Sequence, residues 1–96
     1  MHGEYKIPGG KLVVVDCSEV NGRLAEVRVS GDFFLEPDSA LDVIDAALNG
    51  LPIDSSQDAL ASAIEAALDD DVMLYGISAE GVAIAVRRAV DAGAGQ

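Results

Sequence analysis

The sequence predicts an α+β domain: a three-stranded antiparallel meander followed by two or three helices packed on one face of the sheet. Three observations predict it. Asn21-Gly22 lies between two β-patterned runs and suits both positive-φ positions of a type I′ hairpin turn. Pro8-Gly9-Gly10 punctuates the chain just before the first of those runs, with proline pre-setting one turn position and glycine taking the positive-φ one. Beyond residue 36 the apolar residues step by three and four, which is the helical period. Strands first and helices afterwards place the helices on one side of a single sheet.

Taken in order, residues 2–7 supply the first strand and turn back through Pro8-Gly9-Gly10. Residues 11–20 supply the second, apolar on both faces and therefore central. Residues 23–35 supply the third, interrupted at Gly31, where a bulge or bend is expected. A two-residue loop sets Val20 opposite Arg23, Asp16 opposite Val27 and Val14 opposite Val29. Val14, Val27 and Val29 then share one face, and Val13, Val15 and Cys17 share the other with Glu26 and Arg28. Glu36-Pro37-Asp38 opens a helix whose stripe is Leu41, Ile44, Leu48 and Leu51, closed by Asn49-Gly50 and Pro52. Asp54 with Gln57 offers a capping box for a second helix striped by Leu60, Ile64 and Leu68. Residues 72–77 read as a short extended segment. Ser78 caps a third helix over 79–90, striped by Val82, Val86 and Val90. Residues 1–91 form one domain, and 92–96 form a flexible tail.

Helices on one face leave the second apolar face of this sheet uncovered. That face is Val13, Val15 and Cys17, or Val14, Val27 and Val29 if the faces are exchanged. A bare apolar sheet face marks an interaction site. The size agrees, because a 96-residue chain buries only ~60–65% of its unfolded surface and gains from a partner.

Charge narrows the partner. The net charge is −11, which opposes binding to nucleic acid or an anionic membrane. Residues 36–86 hold eleven acids and no Lys or Arg. The longest apolar run is five residues, 82–86, far short of a membrane span, and no signal-peptide pattern opens the chain. The one cysteine fits a reducing compartment, so a cytoplasmic location is expected.

Few residues invite chemistry. Pro8-Gly9-Gly10-Lys11 is not a phosphate loop, since Lys11 is followed by Leu12 and leads into a strand rather than a helix. It is a glycine turn with a solvated lysine, or a turn whose flanking Lys6 and Lys11 reach an anionic ligand on a partner. Phe33 and Phe34 are adjacent on an extended segment and so point to opposite sides. One fills the core while the other meets a partner, or both are buried. Cys17 reads as a buried mid-strand thiol, His2 as terminal surface decoration, and Arg87-Arg88 as cations suited to a helix C-terminus. No catalytic residue and no metal ligand set is expected in this chain.

The order Lys6-x-Pro8-Gly9-Gly10-Lys11-Leu12, a hydrophobic strand, a short hairpin, then Gly31-Asp32-Phe33-Phe34-Leu35-x-Pro37 before helices, resembles the C-terminal accessory domain of lipoate-protein ligases. It is similar in particular to the stand-alone small subunit of the split ligases found in some archaea and bacteria. The resemblance runs from about residue 4 to 90, and the chain opens with Met as a separate subunit does. It implies a non-catalytic chain that docks on a large catalytic subunit, which holds ATP, Mg²⁺ and lipoate, forms lipoyl-adenylate and passes the acyl group to a lysine of a lipoyl domain. It further implies that Lys6, Gly9, Gly10 and Lys11 lie near the shared active site. Asp32, Phe33 and Phe34, with Val13 and Val15 of the bare sheet face, would then meet the large subunit. The meander-then-helices order also resembles the fold of iron–sulfur scaffold and sulfur-acceptor proteins. On that alternative Cys17 accepts sulfur. A third alternative is an acidic adaptor for some other protein.

Overall fold

Three strands form the meander: β1 (His2–Lys6), β2 (Leu12–Val20) and β3 (Arg23–Gly31), in the order β1-β2-β3 with both pairs antiparallel. The computed structural model describes residues 1–94 of the chain. A second ribbon pairs β4 (Phe34–Glu36) with β5 (Met73–Tyr75), also antiparallel. Three helices follow the meander: α1 (Ala40–Leu48), α2 (Gln57–Ala67) and α3 (Ala79–Ala94). The α+β class and the strand-then-helix order are as the sequence predicts.

The hairpin turn forms as expected, with Asn21 at φ 54° and Gly22 at φ 77°. The register beyond it does not. Val20 faces Arg23, Glu19 faces Leu24 and Ser18 faces Ala25, but Asp16 then faces Arg28 and Val15 faces Val29. Cys17 alone spans Glu26 and Val27, so β3 carries a bulge there, with Glu26 at φ 51°. At Gly31, where a bulge or bend is expected, the strand ends and the chain bends at Asp32. One extra residue moves every position beyond it to the other face. Val27 and Val29 therefore join Val13, Val15 and Cys17 on a single side, and all five are buried with Leu24 in the core.

That side is wrapped by the chain's own helices. Ile44 and Leu48 of α1, Leu60 and Ile64 of α2, and Val82, Val86 and Val90 of α3 complete the core. The expected bare apolar face is therefore absent. The sheet's outer side presents His2, Glu4 and Lys6 from β1, Leu12, Val14 and Asp16 from β2, and Arg28 and Ser30 from β3. His2 donates from Nδ1 to Asp16 Oδ1 at 2.7 Å and from Nε2 to Glu4 Oε2 at 2.8 Å. Both nitrogens can donate only in the imidazolium form, and the two carboxylates, Glu4 first, hold the His2 pKa above its ordinary value. Val13 and Val15, each 0% exposed, cannot meet a partner subunit.

The free edge of β3 is closed by α1. The helix presents Asp45 and Asn49, one turn apart. Asp45 Oδ1 accepts from the Val29 N–H and Asn49 Oδ1 from the Val27 N–H, both at 3.0 Å. Residues 50–53 continue the cover through Gly50 N to Leu24 O, Leu24 N to Leu51 O and Ile53 N to Gly22 O. With the Leu24, Val27 and Val29 donors taken, this edge is covered against pairing with a foreign strand over that stretch.

Asp45 bears a cost for this. Burial raises its pKa, and the Val29 N–H only partly offsets that. A carboxyl whose folded pKa is raised binds its proton more tightly folded than unfolded. Its ionisation therefore weakens the fold as pH rises from the unfolded value through the folded one, and the penalty persists at neutral pH. Asp45→Asn keeps the acceptor for Val29 and removes the charge. It is expected to stabilise the domain at pH 7 in urea unfolding, with the gain fading as pH falls below the carboxyl range. A variant less stable than wild type at pH 7 contradicts this.

The helix starts differ from expectation at two places. α1 begins at Ala40, after Ser39, rather than at Glu36-Pro37-Asp38, because Glu36 is taken up in the ribbon with β5. Ser56, not Asp54, caps α2, its Oγ accepting from Ala59 N at 3.1 Å. Ser78 Oγ accepts from Gly81 N at 3.0 Å, as expected for α3. That helix runs on to Ala94, so residues 92–94 of the expected tail are helical, and residues 95–96 lie outside the described residues. Arg87 and Arg88 consequently sit mid-helix. Arg87 binds the carbonyls of Ile53 and Ser55 and the Asp91 carboxylate, while Arg88 binds the Glu4 carbonyl and lies 4.8 Å over the Tyr5 ring. They pin other elements rather than serve the helix end. Among the described residues no helix is long and apolar enough to cross a membrane.

Candidate functional site

The β1–β2 turn closes through Gly10 N to Ile7 O at 2.8 Å, with Gly9 at φ 73°. Lys6 folds back over this turn, its Nζ donating to the Gly10 carbonyl and, at 3.2 Å, to that of Ile7. Its ammonium therefore serves the turn itself. Lys11 behaves differently. Its backbone N–H donates to Gly76 O at 2.9 Å, tying the turn to the residue after β5. Gly76, at φ 82°, is held to glycine by this approach, because a Cβ there would stand 2.4 Å from Lys11 Cγ. The Lys11 stem thus lies across Gly76. The side chain is exposed, and its ammonium has no hydrogen-bonding partner among the described residues.

Gly31, Asp32 and Phe33 bring the chain from β3 to β4 beside this turn. Phe33 is half-buried and packs against the core, whereas Phe34 is 59% exposed. The two rings take opposite sides, and of the two arrangements the sequence leaves open the one with both rings buried is absent. Phe34 stacks on Tyr75 with centroids 4.5 Å apart and planes 15° from parallel. A depression of about 250 Å³ opens between these residues and the start of α1, lined by Gly31, Phe33, Phe34, Leu35 and Leu41.

Turn and ribbon together form one end of the domain. It gathers Gly9, Gly10 and Lys11 with Asp32, Phe33 and Phe34, and excludes Val13 and Val15. The sequence reading missed Met73, Leu74 and Tyr75, which are exposed on β5. The signal was an apolar triplet in a segment too short for a helix and with no strand assigned to pair with it. Carboxylates surround the end: Asp32, Glu36, Asp38 and Asp69 to Asp71 are all exposed. None forms an ion pair among the described residues.

Cys17 takes no part. It is buried in the core, and burial pushes its thiol pKa up, which disfavours the nucleophilic thiolate. Iodoacetamide is expected to label Cys17 slowly in the native protein and rapidly in urea. Equal rates in both would return the sulfur-acceptor alternative to the argument. Among the described residues no group of three or more His, Cys, Asp or Glu is arranged to hold a metal ion.

No family model matches the chain, and no curated protein does either. Its fold is similar to that of a chain from a structural analysis of an archaeal lipoylation system. That system is a bi-partite lipoate protein ligase and its E2 lipoyl domain from Thermoplasma acidophilum. The TM-score is 0.65 at 23% identity, over 91% of this chain and 98% of that one. The two chains share a fold over most of their length. At this identity the likeness is one of fold.

Proposed function

We propose that this chain is the non-catalytic small subunit of a two-chain lipoate–protein ligase. The observation that carries the reading is the fold likeness to a chain of the bi-partite ligase system over nearly the whole of both. The ordered motifs from Lys6 to Leu12 and from Gly31 to Pro37 support it, since both converge on one end of the domain. On this reading the catalytic chain holds ATP, Mg²⁺ and lipoate. The lipoate carboxylate attacks the α-phosphorus of ATP, pyrophosphate leaves, and lipoyl-adenylate forms. A lysine amine of the lipoyl domain then attacks the acyl carbon and AMP leaves. The small subunit binds the catalytic chain and brings its β1–β2 turn to the adenylate, excluding water and setting Lys11 near phosphate charge.

The test is reconstitution. This chain is mixed with the candidate catalytic chain, ATP, Mg²⁺ and lipoate, and pyrophosphate release and lipoyl-adenylate are measured; octanoate is run in parallel. Product is expected only when both chains are present. Equal product from the catalytic chain alone, or two chains that do not associate, would overturn the reading.

A further inference from the structure

Resting on the small-subunit reading, we infer that the β4–β5 ribbon is the docking surface, and that its receptor on the catalytic chain is an apolar pocket rimmed by Arg or Lys. In the antiparallel register Phe34 faces Tyr75 and Glu36 faces Met73, so these four share one side of the ribbon. Leu35 lies on the other side and is buried in the core, which fixes the ribbon to the domain. Phe34 and Met73 are 59% and 53% exposed, among the most exposed large apolar side chains of the described residues. Aromatic and Met side chains of this kind are the usual anchors of an interface. Phe34 and Tyr75 are already stacked on each other, so less side-chain freedom is lost on binding.

The rim names the partner's chemistry. Asp32, Glu36 and Asp69 to Asp71 flank the ribbon without ion pairs among the described residues. Four of the chain's other cations are engaged elsewhere, Lys6 on the turn carbonyls, Arg23 on Gly50 O, Arg87 on the carbonyls of residues 53 and 55, and Arg88 on Glu4 O, and Arg28 lies on the sheet's outer side opposite Asp16. Lys11 is the one cation close by. A second copy of this chain would set acid against acid around the same apolar centre, whereas a basic rim would gain. The hydrogen bond from Lys11 N to Gly76 O ties the β1–β2 turn to the end of β5. Docking through the ribbon therefore also brings Lys11 against the catalytic chain.

The experiment is calorimetric titration of the catalytic chain with wild type, Phe34→Ser, Met73→Ser and Val20→Ser. Val20 is the control because it is as exposed as Met73 but sits at the β2–β3 hairpin, the opposite end of β2 from the turn that holds Lys11. Circular dichroism confirms that each variant is folded. Phe34→Ser and Met73→Ser are each expected to weaken binding about tenfold or more, as interface anchors do, with Val20→Ser near wild type. Binding is expected to weaken as salt rises, and Asp69→Asn/Asp70→Asn/Asp71→Asn to flatten that slope. Wild-type binding that survives both ribbon variants overturns the docking surface and leaves the small-subunit reading standing. Sedimentation showing a dimer of this chain that Phe34→Ser dissolves also overturns it. Wild type that does not bind the catalytic chain at all fails the small-subunit reading itself.

Discussion

Gly3→Ala is expected to cost the domain about 3 kcal/mol or more, at or beyond the upper end of ordinary overpacking. Gly3 lies on β1 where the strand presses on α3. A Cβ built there would stand 2.3 Å from Ala89 N and 2.4 Å from Ala85 O. Both are backbone atoms of a 16-residue helix, so no side chain can turn aside to make room. Ala85 and Ala89 are themselves 0% exposed, which shows how closely the helix is laid on the sheet. Relief requires strand and helix to separate, opening the contact that Val13, Val15, Val82 and Val86 share. A domain of this length has roughly 5–14 kcal/mol of stability in total, so the loss is a large part of it. Gly9→Ala is the comparison. Gly9 has φ 73° with open space around it, so an added Cβ meets only the left-handed backbone cost of ~1–2 kcal/mol. Urea unfolding of the two variants separates the effects. Equal losses would mean that α3 does not bear on β1 at Gly3.

The elements legible in the sequence were those with a local cause. Asn21-Gly22 fixed its turn because few other residue pairs accept two positive φ values in succession, and the stripes of α1 to α3 fell on the buried residues Ile44, Leu48, Leu60, Ile64, Val82 and Val86. What stayed hidden was non-local. Nothing near Glu26 announces a bulge, since Glu is not a residue that favours φ 51°. The bulge is worthwhile only because it places Val27 and Val29 under α1 with Val13 and Val15. That one residue turned the expected bare apolar face into the buried one. Asn49 reads as a helix stop and Asp45 carries no signal of its own, yet both close the edge of β3, and only the fold brings them there. At the candidate site the turn residues and the division of labour between Phe33 and Phe34 were readable. The pairing of Phe34 with Tyr75 joins positions far apart in the chain, and no local pattern encodes it. The site moved from the sheet face to the sheet's end for this reason.

Lys11→Ala is expected to slow lipoyl-adenylate formation by the reconstituted pair about 10- to 100-fold, the range that a charge-assisted hydrogen bond of ~1.5–3 kcal/mol supplies. Lys6→Ala is expected to do much less. The two lysines flank the same turn and look equivalent in the sequence, but their ammonium groups are placed differently. That of Lys6 is held by the carbonyls of Gly10 and Ile7, so removing it loosens the turn and costs stability of about 1 kcal/mol. That of Lys11 is exposed, on a stem held across Gly76 by the turn's own hydrogen bond to that residue. A positioned, unpartnered ammonium can meet phosphate charge that develops in a neighbouring site. A contact made in the transition state lowers kcat, whereas a contact made only in docking weakens association and leaves the saturated rate intact. Titrating the catalytic chain to saturation with each variant distinguishes the two. Lys11→Arg keeps the charge and is expected to recover part of the rate. If Lys11→Ala reaches the wild-type rate at saturation, its ammonium makes no contact with the adenylate in the transition state, and its part in the pair is confined to docking.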